Sequence, residues 1–280
     1  GSVMRAVYEQ PALARQDGLW MLNNKRWGRI GGINGHGYNL TIGKDFLFDE
    51  HGYYGLLFDY GSNTVSGAAG SGEYDSYSLG LYAGNKNKPG SITGFVSYGL
   101  QANKGTAYLP VLGQTAESGY DSKTLGIGVE YAYDLDYGKP EELWHVSPYA
   151  RLNFTHYRQK AFREHGAGVF DRSFGSYSDN YAEGELGLSF DRSEGTGGYG
   201  IRLGYKRILA GERQLMEVCF AEDECGALLP VRSWGEGRNH FVAAAYVRHD
   251  FSRKWSAGGS LSGDWSNGGR EIGARLDLAY

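Results

Sequence analysis

The sequence predicts an all-β fold: a twelve-stranded antiparallel transmembrane β-barrel preceded by an N-terminal α-helix. Three observations predict it. The first is the end of the chain, where Ile272, Ala274, Leu276, Leu278 and Tyr280 fall on one strand face and Gly273, Arg275 and Asp277 on the other. A period-2 strand with apolar groups on one side and charges on the other suits a wall between lipid and water. A soluble protein rarely ends this way, because a terminal strand leaves an unpaired edge, which closing the first strand onto the last removes. The second is a run of twelve alternating segments, and the third is the way their connections sort by length.

The segments span approximately 25–33, 37–47, 53–62, 74–85, 91–103, 122–135, 144–159, 180–191, 198–210, 239–251, 255–265 and 270–280. In the seventh, Val146, Pro148, Ala150, Leu152 and Phe154 alternate with His145, Ser147, Tyr149, Arg151, Asn153 and Thr155. The eighth sets Ala182, Leu186, Leu188 and Phe190 against Glu183, Glu185, Ser189 and Asp191. The eleventh sets Trp255, Ala257, Leu261 and Trp265 against Ser256, Ser260, Ser262 and Asp264. Strands of about ten residues exceed the globular mode of about 5–6 and match what a tilted strand needs to cross a bilayer.

Connections after strands 2, 4, 6, 8 and 10 are expected to be short, and those after 3, 5, 7 and 9 long, the last spanning roughly Gly211 to Asn239. Those after strands 1 and 11 break the pattern by being short. Short turns on one side and long loops on the other is the bacterial outer-membrane plan, and a soluble sandwich has no reason to sort its loops by parity.

Composition agrees. The chain holds 45 Gly and 22 Tyr but only 6 Pro and 3 Met. Each Gly costs a helix about 1 kcal/mol relative to Ala, whereas barrel strands use Gly where backbones bend or side chains must be small. The net charge of −4, with no basic run, argues against nucleic acid as a partner. The longest apolar run, Phe241–Val247, is far short of the roughly 20 residues of a transmembrane helix. No signal peptide is visible, and Gly1-Ser2 reads as a cloning remnant, so that residues 1–11 are expected to link to missing upstream sequence.

Inward positions carry both signs: Glu130, Arg151, Glu183, Glu185, Arg202, Lys206, Arg275 and Asp277. They read as a satisfied polar lumen, with substrate gating as the alternative. Trp144, Tyr205, Trp255 and Trp265 are candidates for aromatic girdles. Cys219 and Cys225, six apart and without His or further Cys nearby, fail to complete a zinc set. They read as a small disulfide loop in an oxidising compartment, against two free thiols.

Residues 1–24 do not alternate. Ala12–Asn24 is rich in helix formers, with Leu13, Leu19, Trp20 and Leu22 apolar, and Pro11 suits a first helical turn. A helix over 12–24 is expected, leaving 25–280 as the barrel. With both termini of an even-stranded barrel on the periplasmic side, this helix either dangles there or threads the lumen.

Asn24-Lys25-Arg26-Trp27-Gly28, leading into the first strand, resembles the Asn-Lys-Arg-Met-Gly-like junction of autotransporters (type V secretion). The resemblance covers helix, junction, twelve strands and aromatic C-terminus. It implies a lumenal helix joining a secreted upstream passenger to a translocator domain in the Gram-negative outer membrane. It also implies that Leu276, Leu278 and Tyr280 form the signal read by the barrel assembly machinery, although Tyr stands where Phe is commoner. Cysteines are unusual in these barrels and are assigned to this chain's longest surface loop. Some members cut their own helix by Asn side-chain attack inside the lumen. Asn23-Asn24 invites the comparison, but in self-cleaving members the Asn pair lies further upstream of Lys-Arg.

Catalytic motifs are few. Gly195-Thr196-Gly197-Gly198-Tyr199-Gly200 satisfies GxGxxG without a βαβ unit and reads as a turn. There is no GxSxG, HExxH or P-loop. An omptin-like protease would use Asp49-Glu50-His51 or Asp134-Leu135-Asp136, but both lie at periplasmic turns. A lipase would need a Ser partner for His156 or His249, and none is obvious.

The expected function is therefore that of a non-enzymatic, monomeric translocator. It sits among outer-membrane lipids without cofactor or metal, and exports its passenger through or with the barrel. Arg15 and Asp17 of the helix would then pair with lumenal groups such as Glu183 and Arg202. The alternatives are a passenger-less diffusion channel or porin, told apart by whether the native gene continues far upstream of Val3, and an adhesin using its long loops.

Overall fold

The computed structural model describes residues 2–8, 18–87, 89–110, 113–137, 144–211, 215–220, 229–232, 237–252 and 254–280. Twelve strands close into one antiparallel barrel. They are β1 (Gly18–Ile30), β2 (Ile33–Leu47), β3 (Gly52–Gly67), β4 (Gly70–Asn85), β5 (Gly90–Leu109) and β6 (Gln114–Tyr133), then β7 (Trp144–Gln159), β8 (Tyr177–Glu194), β9 (Gly197–Ala210), β10 (Asn239–Asp250), β11 (Ser256–Ser266) and β12 (Gly269–Ala279). Each pairs with its sequence neighbours, and β1 closes on β12 from Trp20↔Ala279 to Ile30↔Gly269. No described helix is long and apolar enough to cross a membrane.

Outward side chains are apolar through the middle of the wall, with Leu56, Leu81, Ile127, Leu152, Leu186, Leu261 and Leu276 all exposed. Aromatic rings border this belt. Trp144 packs on Tyr199 and Trp255 on Tyr280 near the chain termini. Trp265 packs on Phe241, and Tyr38, Tyr60 and Tyr77 form a row at the other border. Tyr205 lies with that second border and donates to Asn239 Oδ1 at 2.6 Å.

The first strand starts earlier than the sequence suggests. Residues 18–24 are not helical but the first half of β1, with Leu19, Asn23 and Asn24 in the ladder: Asn23 lies opposite Leu276 and Leu40, Asn24 opposite Arg275 and Asn39. The cause is that both faces are apolar here. Leu19 and Met21 face outward, while Trp20 and Leu22 are buried inside, so the period-2 signal vanishes. The described helix is α1 (Ser2–Tyr8), and residues 12–17 of the expected helix lie outside the described residues. Arg15 and Asp17 lie outside the described residues.

The connections after β3 and β5 are also shorter than expected. β5 and β6 each run 20 residues, and β3 and β4 continue until only Ala68 and Ala69 separate them. Beyond the lipid both strand faces meet water, so sequence there loses its alternation while the backbone ladder continues.

The connections after β7 and β9 are long and contribute a separate four-stranded sheet from Phe162–Arg163, Arg172–Phe174, Leu215–Phe220 and Leu229–Arg232. The bridge Glu117↔His165 ties it to β6. Glu164, buried, binds Arg172 through two bonds of 2.7 Å. Cys219, opposite Ser173 in this sheet, is disulfide-bonded; Cys225, the chain's other cysteine, lies outside the described residues.

Candidate functional site: the lumen and its helix

Within the barrel the inward side chains divide into two walls. On the inner face of β1–β5, Trp20, Leu22, Tyr53, Leu57, Tyr82 and Phe95 form a buried apolar cluster. The buried carboxylate of Asp45 accepts from Trp20 Nε1 at 3.1 Å and from Tyr82. The inner face of β6–β12 is charged. Arg151 Nε donates to Glu130 and its Nη1 lies 3.4 Å from Glu185 Oε1. Arg202 lies 3.8 Å from Glu130, and Lys206 lies 4.0 Å from Glu183 and in contact with Asp264. Tyr149 donates to Glu185 at 2.7 Å, with the Arg151 and Arg202 guanidiniums over its ring. Arg275 and Asp277, 3.3 Å apart, sit further along β12. Such mutual pairing lets charges stay inside a narrow lumen.

α1 stands between these walls. Val3, Ala6 and Val7, at helical spacing on one face, are buried against the apolar cluster. Two glycines make room. A Cβ on Gly80 would come within 3.3 Å of Val3, and one on Gly128 within 2.5 Å of the Tyr8 hydroxyl. Tyr8 spans both walls. Its ring meets Phe95 edge-on at 5.6 Å, the Arg151 guanidinium lies 4.9 Å above it, and its hydroxyl donates to Asn153 Oδ1 at 3.1 Å. Asn153 in turn donates to Glu183 Oε1 at 3.1 Å. On the helix's other face Arg5 pairs with Glu271 of β12 at 2.7 Å, and Arg26 approaches the same carboxylate at 3.9 Å. A cavity of about 60 Å³ remains between Met4, Arg5 and the charged wall.

The eight charged positions singled out from sequence therefore lie inside the barrel; Glu130, Arg151, Glu185 and Arg202 form one ion-pair group and Glu183 and Lys206 another, the two joined through Asn153 and Tyr8. Sequence reasoning missed Arg5, Tyr8, Asn153 and Glu271. The spacing of Val3, Ala6 and Val7 carried a signal for the helix, but over seven residues it is too short to stand out. Leu276, Leu278 and Tyr280 face outward, Leu276 at 71% exposure.

The motifs with catalytic look-alikes have structural roles here. The Asp49 carboxylate accepts from the backbone N–H groups of His51 and Gly52, which hold it below the usual carboxylate range. Gly195 sits at φ 53° in the β8–β9 turn, and Gly197–Gly200 belong to β9.

Residues 19–262 match the family model of the autotransporter beta-domain. No individual curated protein matches the chain. Among solved structures, the translocator domain of autotransporter NalP from Neisseria meningitidis superposes with a TM-score of 0.81 at 19% identity, covering 100% of this chain and 94% of that one. The transport unit of the autotransporter AIDA-I from Escherichia coli gives 0.67 at 13% identity, covering 95% and 91%. The beta domain of the Bordetella autotransporter BrkA gives 0.66 at 15%, covering 94% and 98%. With the family model spanning most of the barrel and the twelve-strand topology in place, the chain belongs to the autotransporter family, as a β-domain.

Proposed function

We propose that this β-domain sits as a monomer in the Gram-negative outer membrane, placed there by the barrel assembly machinery reading Leu276, Leu278 and Tyr280. It lets an upstream passenger reach the cell surface through or with the barrel. α1 is the segment of that route left in the pore. The observation that carries this reading is the seating of α1 between an apolar and a charged wall, with Arg5 on Glu271 and Tyr8 on Asn153. A twelve-stranded lumen has room for one helix or an extended hairpin but not a folded domain. Because the charges pair with one another, varied passenger sequence can slide past without being trapped. The domain acts by holding and passing a chain, without cofactor or catalysis.

The test is single-channel conductance in planar bilayers of the full chain beside a version beginning at Gly18, which keeps β1 whole. Rare, small openings for the full chain and a large steady pore for the shortened one support a plug left by transport. A full chain that is already wide open would favour a diffusion channel without a passenger.

A further inference from the structure

The outer wall carries a feature that neither the lumen nor export uses. Along β6 the outward side chains run Tyr131, Val129, Ile127, Leu125, then Lys123 and Asp121. Along β7 they run Leu152, Phe154, then His156 and Arg158, with Lys160 just past the strand's end. The strands pair Ile127↔Phe154, Leu125↔His156 and Lys123↔Arg158, so both switch from apolar to cationic within the same two rungs. The neighbouring strands place this height at the edge of the apolar belt. Lys123 lies opposite exposed Leu100 of β5, the next outward position beyond Tyr98, and Arg158 lies opposite Ser178 of β8.

Like charges directly opposite on one sheet face destabilise a strand pair, so an anion held between Lys123 and Arg158 would relieve their repulsion. Among the described residues neither makes an ion pair, and the carboxylate on the same face, Asp121, is taken by Lys160 at 3.9 Å. His156 is held by Asn180 at 2.9 Å and approached by Ser178 at 3.4 Å, which leaves polar side chains around the rung. In a chain of net charge −4, a surplus of cations at this one height is a local arrangement.

From this we infer that Lys123 and Arg158 bind the phosphate of an outer-leaflet glycolipid whose acyl chains lie along Leu125, Ile127, Leu152 and Phe154. A guanidinium grips phosphate with paired N–H groups and an ammonium adds a point charge, both at the depth where headgroups meet the apolar belt. The inference rests on the proposed outer-membrane orientation, with the turns after odd-numbered strands outside.

Native mass spectrometry of the full chain in detergent tests it. The probes are diphosphorylated lipid A, its fully dephosphorylated form, phosphatidylglycerol and inorganic phosphate. Retention of the phosphorylated glycolipid, weakened about tenfold or more in K123A/R158A and little changed in K104A, whose lysine already pairs with Glu73 at 3.4 Å, supports the site. Equal retention by K123A/R158A, or of the dephosphorylated glycolipid, overturns it. Phosphatidylglycerol held as tightly as the glycolipid overturns the outer-leaflet assignment. A heat-shift gel confirms that each variant is folded. Labelling Ala68→Cys on intact cells with an impermeant maleimide reads orientation alone, so failure of the lipid site and failure of the underlying topology are separate results.

Discussion

Truncating Tyr8 should open the pore more than removing the salt bridge on the helix's other face. Tyr8 is 3% exposed, packs edge-on against Phe95, lies under Arg151 and donates to Asn153. The helix it anchors sits among charged lumenal side chains rather than against lipid, so its released state is hydrated and aqueous burial energies apply, unlike those of the lipid-facing wall. Replacing a buried aromatic by Ala costs about 3 kcal/mol at the low end. Since about 1.4 kcal/mol is tenfold, the ratio of released to seated helix should rise by roughly two orders of magnitude in Y8A. The Arg5–Glu271 pair looks stronger on paper at 2.7 Å, but its side chains are 24% and 32% exposed, and such pairs contribute about 1 kcal/mol or less. R5A should therefore raise the ratio by less than about tenfold. Leu57→Ala, which removes the wall beneath Val3 without touching the helix, should resemble Y8A. The assay is open probability in planar bilayers, after a heat-shift gel shows each barrel folded. A closed Y8A beside a freely opening R5A would refute the argument that apolar packing holds the helix.

The other expectations concern the walls and turns. E183A/E185A removes two lumenal carboxylates and leaves the three cations Arg151, Arg202 and Lys206 facing only Glu130 and Asp264, so the reversal potential in a salt gradient should move toward anion selectivity; an unchanged potential would mean that ions do not pass these groups. Leu186→Arg places a cation on the exposed apolar belt and should cost about 2–4 kcal/mol in urea-driven unfolding from vesicles. A loss well below 1 kcal/mol would place Leu186 outside the hydrocarbon. At the β2–β3 turn the Asp49 carboxyl is held low by the backbone N–H groups of His51 and Gly52. A depressed folded value means that the turn's stabilisation is full above the ordinary carboxylate range and is lost as pH falls through the lowered value. The His51 amide resonance should shift only below that ordinary range, and a midpoint at the ordinary value would show the bonds to be absent in solution.

How much was legible in the sequence depended on which solvents met each strand. β7 was plain because lipid on one side and a polar lumen on the other impose opposite demands, so Leu152 and Phe154 alternate with Arg151 and Asn153 without ambiguity. β1 was hidden because its first half faces lipid through Leu19 and Met21 and faces α1 through Trp20 and Leu22. Two apolar faces erase the period, and helix formers then mimic a helix. The extensions of β3–β6 were hidden for the opposite reason, since water on both faces of segments such as Asn103–Thr106 removes the apolar half of the pattern. The charged wall was legible as a set of inward positions on β6–β9, but its fit to Arg5 and Tyr8 was not, because that fit depends on which strands closure brings across the lumen from one another. The failure at β1 is informative in itself. A barrel strand of this kind loses its alternation where something apolar fills the lumen beside it, and here the inward-facing Trp20 and Leu22 join the same buried cluster as Val3, Ala6 and Val7. An apolar inner face on one arc of an otherwise polar barrel is thus a trace, within the barrel's own sequence, of the segment seated against it.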